Sequence, residues 1–193
     1  MNIDYFKILD VFINEIIPPT FDNVKIGNKI FGGAILNKND FSTLCIGLNN
    51  ETSNPLYHGE ISTIINFYKN EVPTNPKECF FISTHEPCSL CLSAITWSGF
   101  TNFFYFFPYS DTKDKFNIPH DLNILSEVFK LKNGNYKKKN KYCNSYSILD
   151  EVNEINSNNK LILNEKIEII HSKYEELSSI YQLSKNNNNI YLN

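Results

Sequence analysis

The chain has 193 residues, a formal charge of −3 and 41% hydrophobic residues, which is typical of a single globular domain with a sizeable core. It has no apolar run long enough to cross a bilayer and no basic region followed by an apolar run at its start, so we expect a cytoplasmic protein without a membrane partner. All 18 basic residues are lysine. Arginine is the residue that most often reads phosphate and guanine, so its absence disfavours a nucleic-acid partner.

The first part of the chain predicts a helix, a hairpin and a second helix. Apolar residues at helical spacing predict the first helix over 4–17, and the Pro18-Pro19 pair should end it. Two short apolar runs, 29–36 and 42–48, predict the hairpin. A polar, turn-rich loop then leads to His58, where a helix reaching about Tyr68 is predicted.

Further strands and helices alternate along the rest of the chain. The predicted elements are a strand at 79–84, a helix from Cys88 to Trp97, an aromatic strand at 101–107, and helices at about 121–131 and about 164–183. We interpret Trp97 as a core residue, with pocket lining as the alternative. Strands that alternate with helices predict a layered α/β fold.

The predicted domain spans residues 1–184. Its core covers about 4–131, and a divergent, helical C-terminal part covers about 134–184. Residues 185–193 include an asparagine run of low complexity, which predicts a disordered tail.

Two separated motifs contain residues suited to catalysis. The first is His58-Gly59-Glu60, and the second is Pro87-Cys88-Ser89-Leu90-Cys91. One imidazole and two thiols are ligands that a catalytic zinc ion takes while it keeps a fourth position open. Cys88 and Cys91 are three residues apart and would share one face of a helix. We therefore predict one zinc ion per chain, held by His58, Cys88 and Cys91.

Glu60 is the predicted catalytic residue. Zinc lowers the pKa of a bound water towards 7, and the resulting hydroxide would attack an amine-bearing ring carbon. Glu60 would take the water proton, pass it to the ring nitrogen and then protonate the departing ammonia.

A structural zinc site is the alternative interpretation of the motifs. It would need a fourth protein ligand, and Cys45, Cys79 and Cys143 are the remaining cysteines. Cys45 and Cys79 lie in apolar strand patterns, where a buried free thiol is the usual state.

At these motifs the chain resembles the cytidine deaminase-like superfamily, for which H-x-E and P-C-x-x-C are the zinc signature. His58-Gly59-Glu60-Ile61-Ser62-Thr63 is similar to the cytosine deaminases. Glu86-Pro87-Cys88 with Cys91 and Trp97 is more similar to the guanine and tRNA-adenosine deaminases. The resemblance implies a three-layer α/β/α sandwich around a five-stranded mixed sheet, and a homo-oligomer such as a homodimer.

The resemblance also implies substrate contacts. Asn49 or Asn50 would bond the substrate base, because the family has an asparagine in the loop before the zinc histidine. Phe31 and Gly33 belong to the glycine-containing first strand that the family shares. Asp111 lies where related enzymes place a substrate-facing loop residue, although a simple turn residue is an equally good interpretation.

The predicted function is zinc-dependent hydrolytic deamination of a small nucleobase or nucleoside, with cytosine and guanine favoured as substrates. A tRNA adenosine deaminase is the alternative among enzymes. A catalytically silent zinc-binding interaction module is the alternative from another class. The presence of Glu60 argues against such a module, because it has no need of a carboxylate beside the metal.

Overall fold

A five-stranded mixed sheet forms the centre of the computed structural model, which describes residues 3–69, 74–155 and 159–193. The strands are β1 (Gly32–Asn37), β2 (Thr43–Leu48), β3 (Cys79–His85), β4 (Asn102–Phe107) and β5 (Asn144–Ser147). Their spatial order is β2-β1-β3-β4-β5. Strand β1 runs antiparallel to β2 and β3, whereas β3, β4 and β5 are parallel.

Helices cover both faces of this sheet. In chain order they are α1 (Tyr5–Val11), α2 (Ile17–Lys25), α3 (Gly59–Tyr68), α4 (Ser89–Trp97), α5 (Tyr109–Asp114), α6 (His120–Glu127), α7 (Ile148–Asn153) and α8 (Lys160–Ser184). Helices α3 and α4 pack on one face, and α1, α2, α7 and α8 pack on the other. The predicted three-layer α/β/α sandwich is therefore confirmed.

The aromatic strand β4 shows how the sequence produces these layers. Successive side chains of a strand point to opposite faces. Phe103 and Tyr105 lie in the core cluster beneath α3 and α4. Phe104 and Phe106 lie in the larger cluster on the other face. Because all four side chains are buried, β4 must be an interior strand, and its neighbours β3 and β5 flank it on both sides.

Two local predictions were wrong. The Pro18-Pro19 pair does not end the first helix. A π-helical stretch, Phe12–Ile16, continues α1, and the prolines lie in the first turn of α2, where a missing N–H costs nothing. Trp97 is not a core residue, since its side chain is 90% exposed at the last position of α4.

The C-terminal part contributes more to the fold than its composition suggests. Strand β5 and helix α7 lie within residues 134–160, which are rich in lysine and asparagine. Residues 185–193, predicted to be disordered, pack against the body of the chain. The Asn188 Nδ2 group donates to the Gly27 carbonyl at 2.7 Å, and Ile190 is 8% exposed. Among the residues that the structure describes, no helix is long and apolar enough to cross a membrane.

Candidate zinc centre and substrate pocket

The two motifs meet because both precede helices that start at the same edge of the sheet. His58 has an extended backbone and immediately precedes α3. Cys88 is the corresponding residue before α4, and Cys91 lies in the first turn of that helix. Gly33 near the start of β1 pairs with Ser83 near the end of β3. The antiparallel pairing therefore brings the start of β1, against which α3 begins, to the end of β3, which leads into α4.

Gly59 allows α3 to begin this close to the sheet. A Cβ atom at position 59 would lie 2.7 Å from the backbone of Gly32, which is closer than real Cβ contacts allow. The small residue between His58 and Glu60 is thus required by packing, because any side chain would push the start of α3 away from β1.

The three predicted ligands have the spacing that a zinc ion requires. The His58 Nδ1 atom lies 3.4 Å from Cys88 Sγ and 3.6 Å from Cys91 Sγ. All three ligand atoms lie within 4.8 Å of one another. Tetrahedral zinc with ordinary bond lengths separates a nitrogen and a sulfur ligand by about 3.6 Å. The donor set and the distances therefore fit one zinc ion per chain.

The described residues offer zinc three protein ligands and no fourth. His58, Cys88 and Cys91 form the only such group of histidine, cysteine or carboxylate ligands within the described ranges. Cys45, Cys79 and Cys143 are free thiols outside it. A three-ligand site with an open position is typical of catalytic rather than structural zinc.

Without a metal, the ligand group favours a charged imidazole beside one thiolate, so zinc binding would release the protons of His58 and Cys91. Burial disfavours a charged His58, but the hydrogen bond with Cys88 and the negative charge of that sulfur raise the pKa of His58 to about 9. The hydrogen bond from Cys91, together with His58, holds the pKa of Cys88 well below its usual range. Burial raises the pKa of Cys91. The protein alone thus favours one thiolate, at Cys88.

Glu60 lies in the first turn of α3, is 5% exposed, and is not part of the ligand group. Burial raises the pKa of its carboxyl above the usual range, and the negative charge of Cys88 adds to the rise. Its Oε1 atom lies 2.9 Å from the hydroxyl of Ser83 on β3. A carboxyl with a raised pKa is suited to accepting and returning a proton near neutral pH.

The ligand group opens into a cavity of about 270 Å³. Its lining includes Lys29, Phe31, Glu51 and His58, together with Ile118, Asp121 and Ile124. The C-terminal residues 190–192 also line the cavity. Asp121 makes no hydrogen bond or ion pair with another described residue, and burial raises the pKa of its carboxyl.

Of the five predicted substrate contacts, Phe31 lines the cavity. Asn49 is fully buried, and its amide is used within the protein. Its Oδ1 accepts from the backbone N–H groups of Lys29 and Glu51 at 3.3 and 3.2 Å, and its Nδ2 donates to Glu51 at 2.7 Å. The Oδ1 of Asn50 accepts from the hydroxyl of Ser53.

Gly33 and Asp111 are also placed away from the cavity lining. A Cβ atom at Gly33 would lie 2.9 Å from the Ile82 carbonyl, so this glycine allows close packing within the sheet. Asp111 lies in α5, and its carboxylate pairs with Lys115 at 3.0 Å. Roles for Asn49, Asn50, Gly33 and Asp111 in substrate binding stay predictions.

Sequence reasoning missed four polar residues at the site, which are Lys29, Glu51, Ser83 and Asp121. Lys29 immediately precedes an apolar run, and a charge in that position could have been noted. Glu51 lies in a polar loop where nothing distinguishes it from its neighbours. Ser83 and Asp121 gain their significance only from the tertiary contacts of β3 and α6.

Comparisons with known proteins agree with this geometry. Residues 22–107 match the family model of the cytidine and deoxycytidylate deaminase zinc-binding region. Guanine deaminase from Bacillus subtilis is similar in structure, with a TM-score of 0.52 and 19% identity over 81% of this chain and 90% of that one. No curated protein sequence matches the chain.

Two other solved structures have lower TM-scores. Guanine deaminase from Nitrosomonas europaea has a TM-score of 0.48 and 13% identity over 82% of this chain and 84% of that one. A tRNA:A34 deaminase has a TM-score of 0.46 and 17% identity over 70% of this chain and 95% of that one. The chain therefore shares its α/β fold with guanine deaminase from Bacillus subtilis and has a candidate three-ligand zinc site. Residues 22–107 are thus similar to the zinc-binding region of the cytidine and deoxycytidylate deaminases.

Proposed function

We propose that the protein catalyses the hydrolytic deamination of a nucleobase or nucleoside, with cytosine or guanine as the favoured substrate type. One observation carries this proposal. The three zinc ligands leave a fourth position open, and the buried carboxyl of Glu60 lies beside them without being a ligand. A structural zinc site would require neither feature.

Each residue of the centre has a proposed part in the reaction. His58, Cys88 and Cys91 would hold the ion, which when bound acidifies a water molecule for attack on the amine-bearing ring carbon. Glu60 would accept one proton of that water and deliver it to the ring nitrogen. It would then carry the second proton, from the hydroxyl added to the ring carbon, to the departing amine. Ammonia and the oxo base are then the two products.

Ser83 would support the proton transfers by Glu60. Its Oγ atom lies 2.9 Å from Glu60 and 2.6 Å from the His85 carbonyl oxygen. The hydroxyl has one hydrogen. It can donate to Glu60 when that group is ionised, and to His85 when Glu60 is protonated.

The cavity favours a small substrate. Its volume of about 270 Å³ lies just below the range for ligand pockets, about 300–1,000 Å³. The absence of arginine disfavours binding to a phosphate backbone. A tRNA adenosine deaminase is therefore the weaker alternative. A silent zinc-binding module is also weaker, because it has no need of a carboxylate such as Glu60 beside the metal.

We also propose that the protein forms a homo-oligomer in the cytoplasm. Trp97 and Tyr142, which are 90% and 62% exposed, line the same surface groove and would be covered by a second copy. Five unpaired cysteines suit a reducing compartment. Light scattering after size-exclusion chromatography, compared with that of a Trp97→Ser variant, tests the assembly.

Ammonia release tests the proposed reaction. Zinc-loaded protein is incubated with cytosine, guanine, adenine and their nucleosides, and metal-chelated protein serves as the control. We expect ammonia from at least one member, dependent on zinc. No ammonia from the whole panel, with zinc bound at about one ion per chain, would contradict the proposed function.

A further inference from the structure

Lys29 places an almost fully buried amine in the wall of the cavity. The residue is 4% exposed and immediately precedes the apolar stretch that leads into β1. Its Nζ atom pairs with Glu51 Oε1 at 2.8 Å and has no other bond to a described residue. A lysine ammonium has three N–H donors. Two of them therefore have no acceptor among the residues that the structure describes.

Asn49 fixes both charged residues in place. Its Oδ1 atom accepts a hydrogen bond from the backbone N–H of Lys29, and its Nδ2 group donates one to Glu51. These bonds use the amide oxygen of Asn49 and one of its two amide N–H groups. The polar groups that this region turns to the cavity are those of Lys29 and Glu51.

The lysine stands on the same side of the cavity as the zinc ligands. Glu51 Oε1, which accepts from Lys29, lies 3.7 Å from His58 Nε2. The other lining residues include the apolar Phe31, Ile118 and Ile124 and the polar Ser89, His120 and Tyr191. The unpaired N–H groups of Lys29 are thus well placed to meet the polar edge of a base held near His58.

We propose that Lys29 is a specificity-determining residue, whose ammonium donates a hydrogen bond to a carbonyl oxygen of the base. This inference rests on the proposed function and names the substrate class as amino-oxo bases, which carry both an amine and a ring carbonyl. Cytosine and guanine belong to this class. Their diamino counterparts, 2,4-diaminopyrimidine and 2,6-diaminopurine, have an amino group in place of the ring carbonyl. This N–H donor would face the ammonium of Lys29, which is also a donor, and no hydrogen bond could form.

A matched pair of ligands isolates this hydrogen bond. Binding of guanine is compared with that of 2,6-diaminopurine, and cytosine with 2,4-diaminopyrimidine, by calorimetry on the zinc-loaded full chain. A Glu60→Gln background keeps the ligand unchanged during the titration. We expect the amino-oxo member of at least one pair to bind about tenfold tighter or better, since a site built for a hydrogen bond rejects an analogue that lacks it.

Variants of Lys29 distinguish a hydrogen bond to the base carbonyl from a role in neutralising the charge of Glu51. Lys29→Met should bring the affinity ratio close to one, with the loss falling on the amino-oxo ligand. It also leaves Glu51 buried without its partner, so the double variant Lys29→Met/Glu51→Gln removes both charges. If Lys29 reads the carbonyl, the double variant stays unselective. Lys25→Met, at an exposed lysine paired with Asp22, is the matched control and should keep the wild-type ratio.

The outcomes distinguish this inference from the proposed function. The role of Lys29 is overturned if Lys29→Met still binds the amino-oxo base more tightly than its diamino counterpart, or if this preference returns in the double variant. That holds even if the wild type releases ammonia. Absence of binding by all four bases also overturns it. Selective binding that depends on Lys29, in a protein that releases no ammonia, supports the inference while contradicting the proposed reaction.

Discussion

The hydroxyl of Ser83 lies 2.9 Å from the carboxyl of Glu60, within hydrogen-bonding distance, and both side chains are buried. Replacing Ser83 with alanine removes the hydroxyl that donates to Glu60. We expect Ser83→Ala to keep its zinc and lower kcat by about tenfold to a hundredfold, because Glu60 loses its orientation.

The measurement for Ser83→Ala is steady-state ammonia release together with zinc content. Ser145→Ala is a matched control, because Ser145 is also a buried serine on a strand but bonds Tyr136. A wild-type kcat in Ser83→Ala, or an equal loss in Ser145→Ala, would refute the assigned role of Ser83.

The close packing of Gly59 against β1 sets the positions of its neighbours His58 and Glu60. Gly59→Ala places a Cβ atom against the backbone of Gly32, so α3 must shift and move His58 and Glu60 with it. We expect a loss of about 1–3 kcal/mol in the free energy of unfolding, as in other overpacked sites. Zinc affinity should fall as well, because His58 immediately precedes the displaced turn.

Denaturant unfolding and competition with a metal chelator measure these two effects of Gly59→Ala. Ser98→Ala, at the exit of α4, gives a comparison outside the motif. Unchanged stability together with unchanged zinc affinity would show that the contact between α3 and β1 does not hold the site.

Some of this arrangement could be predicted from the sequence, because it depends on short-range patterns. The ligand spacing, the buried β4 strand and the alternation of strands and helices all follow from local periodicity or motif chemistry. Trp97 could not be placed in this way. Its helix packs by one face, and periodicity alone did not identify the side that turns to solvent.

The features that sequence analysis missed depend on contacts between distant segments. Strand β5 is short and polar, and its pairing with β4 is what makes it a strand. The C-terminal residues are held by Asn188, whose amide finds a carbonyl at Gly27, 161 positions away. The pairing of Lys29 with Glu51 likewise arises only when two loops meet.

Buried His85 should make stability depend on pH. Burial lowers its pKa from 6.5 to about 3, so the unfolded chain binds a proton at a pH where the folded protein does not. The contribution of neutral His85 to the free energy of unfolding is therefore fully present above about pH 6.5. It is lost as the pH falls towards 3, by up to about 1.4 kcal/mol per pH unit.

Denaturant unfolding between pH 7 and pH 4 in the wild type and in His85→Gln measures this dependence. Both proteins have the same zinc ligands, so the contribution of those ligands cancels when the slopes of unfolding free energy against pH are compared. We expect a shallower loss of stability in His85→Gln. Parallel curves for the two proteins would mean that the imidazole at position 85 is not held neutral.

The central claim is that Glu60 moves protons at a zinc centre without holding the metal. Ammonia release by zinc-loaded Glu60→Gln, on the base that the wild type converts fastest, tests it most directly when bound zinc is measured in the same samples. The predicted result is about one zinc per chain in both proteins and a fall in kcat of about 10²–10⁴-fold. Wild-type turnover by Glu60→Gln with its zinc retained would contradict the claim.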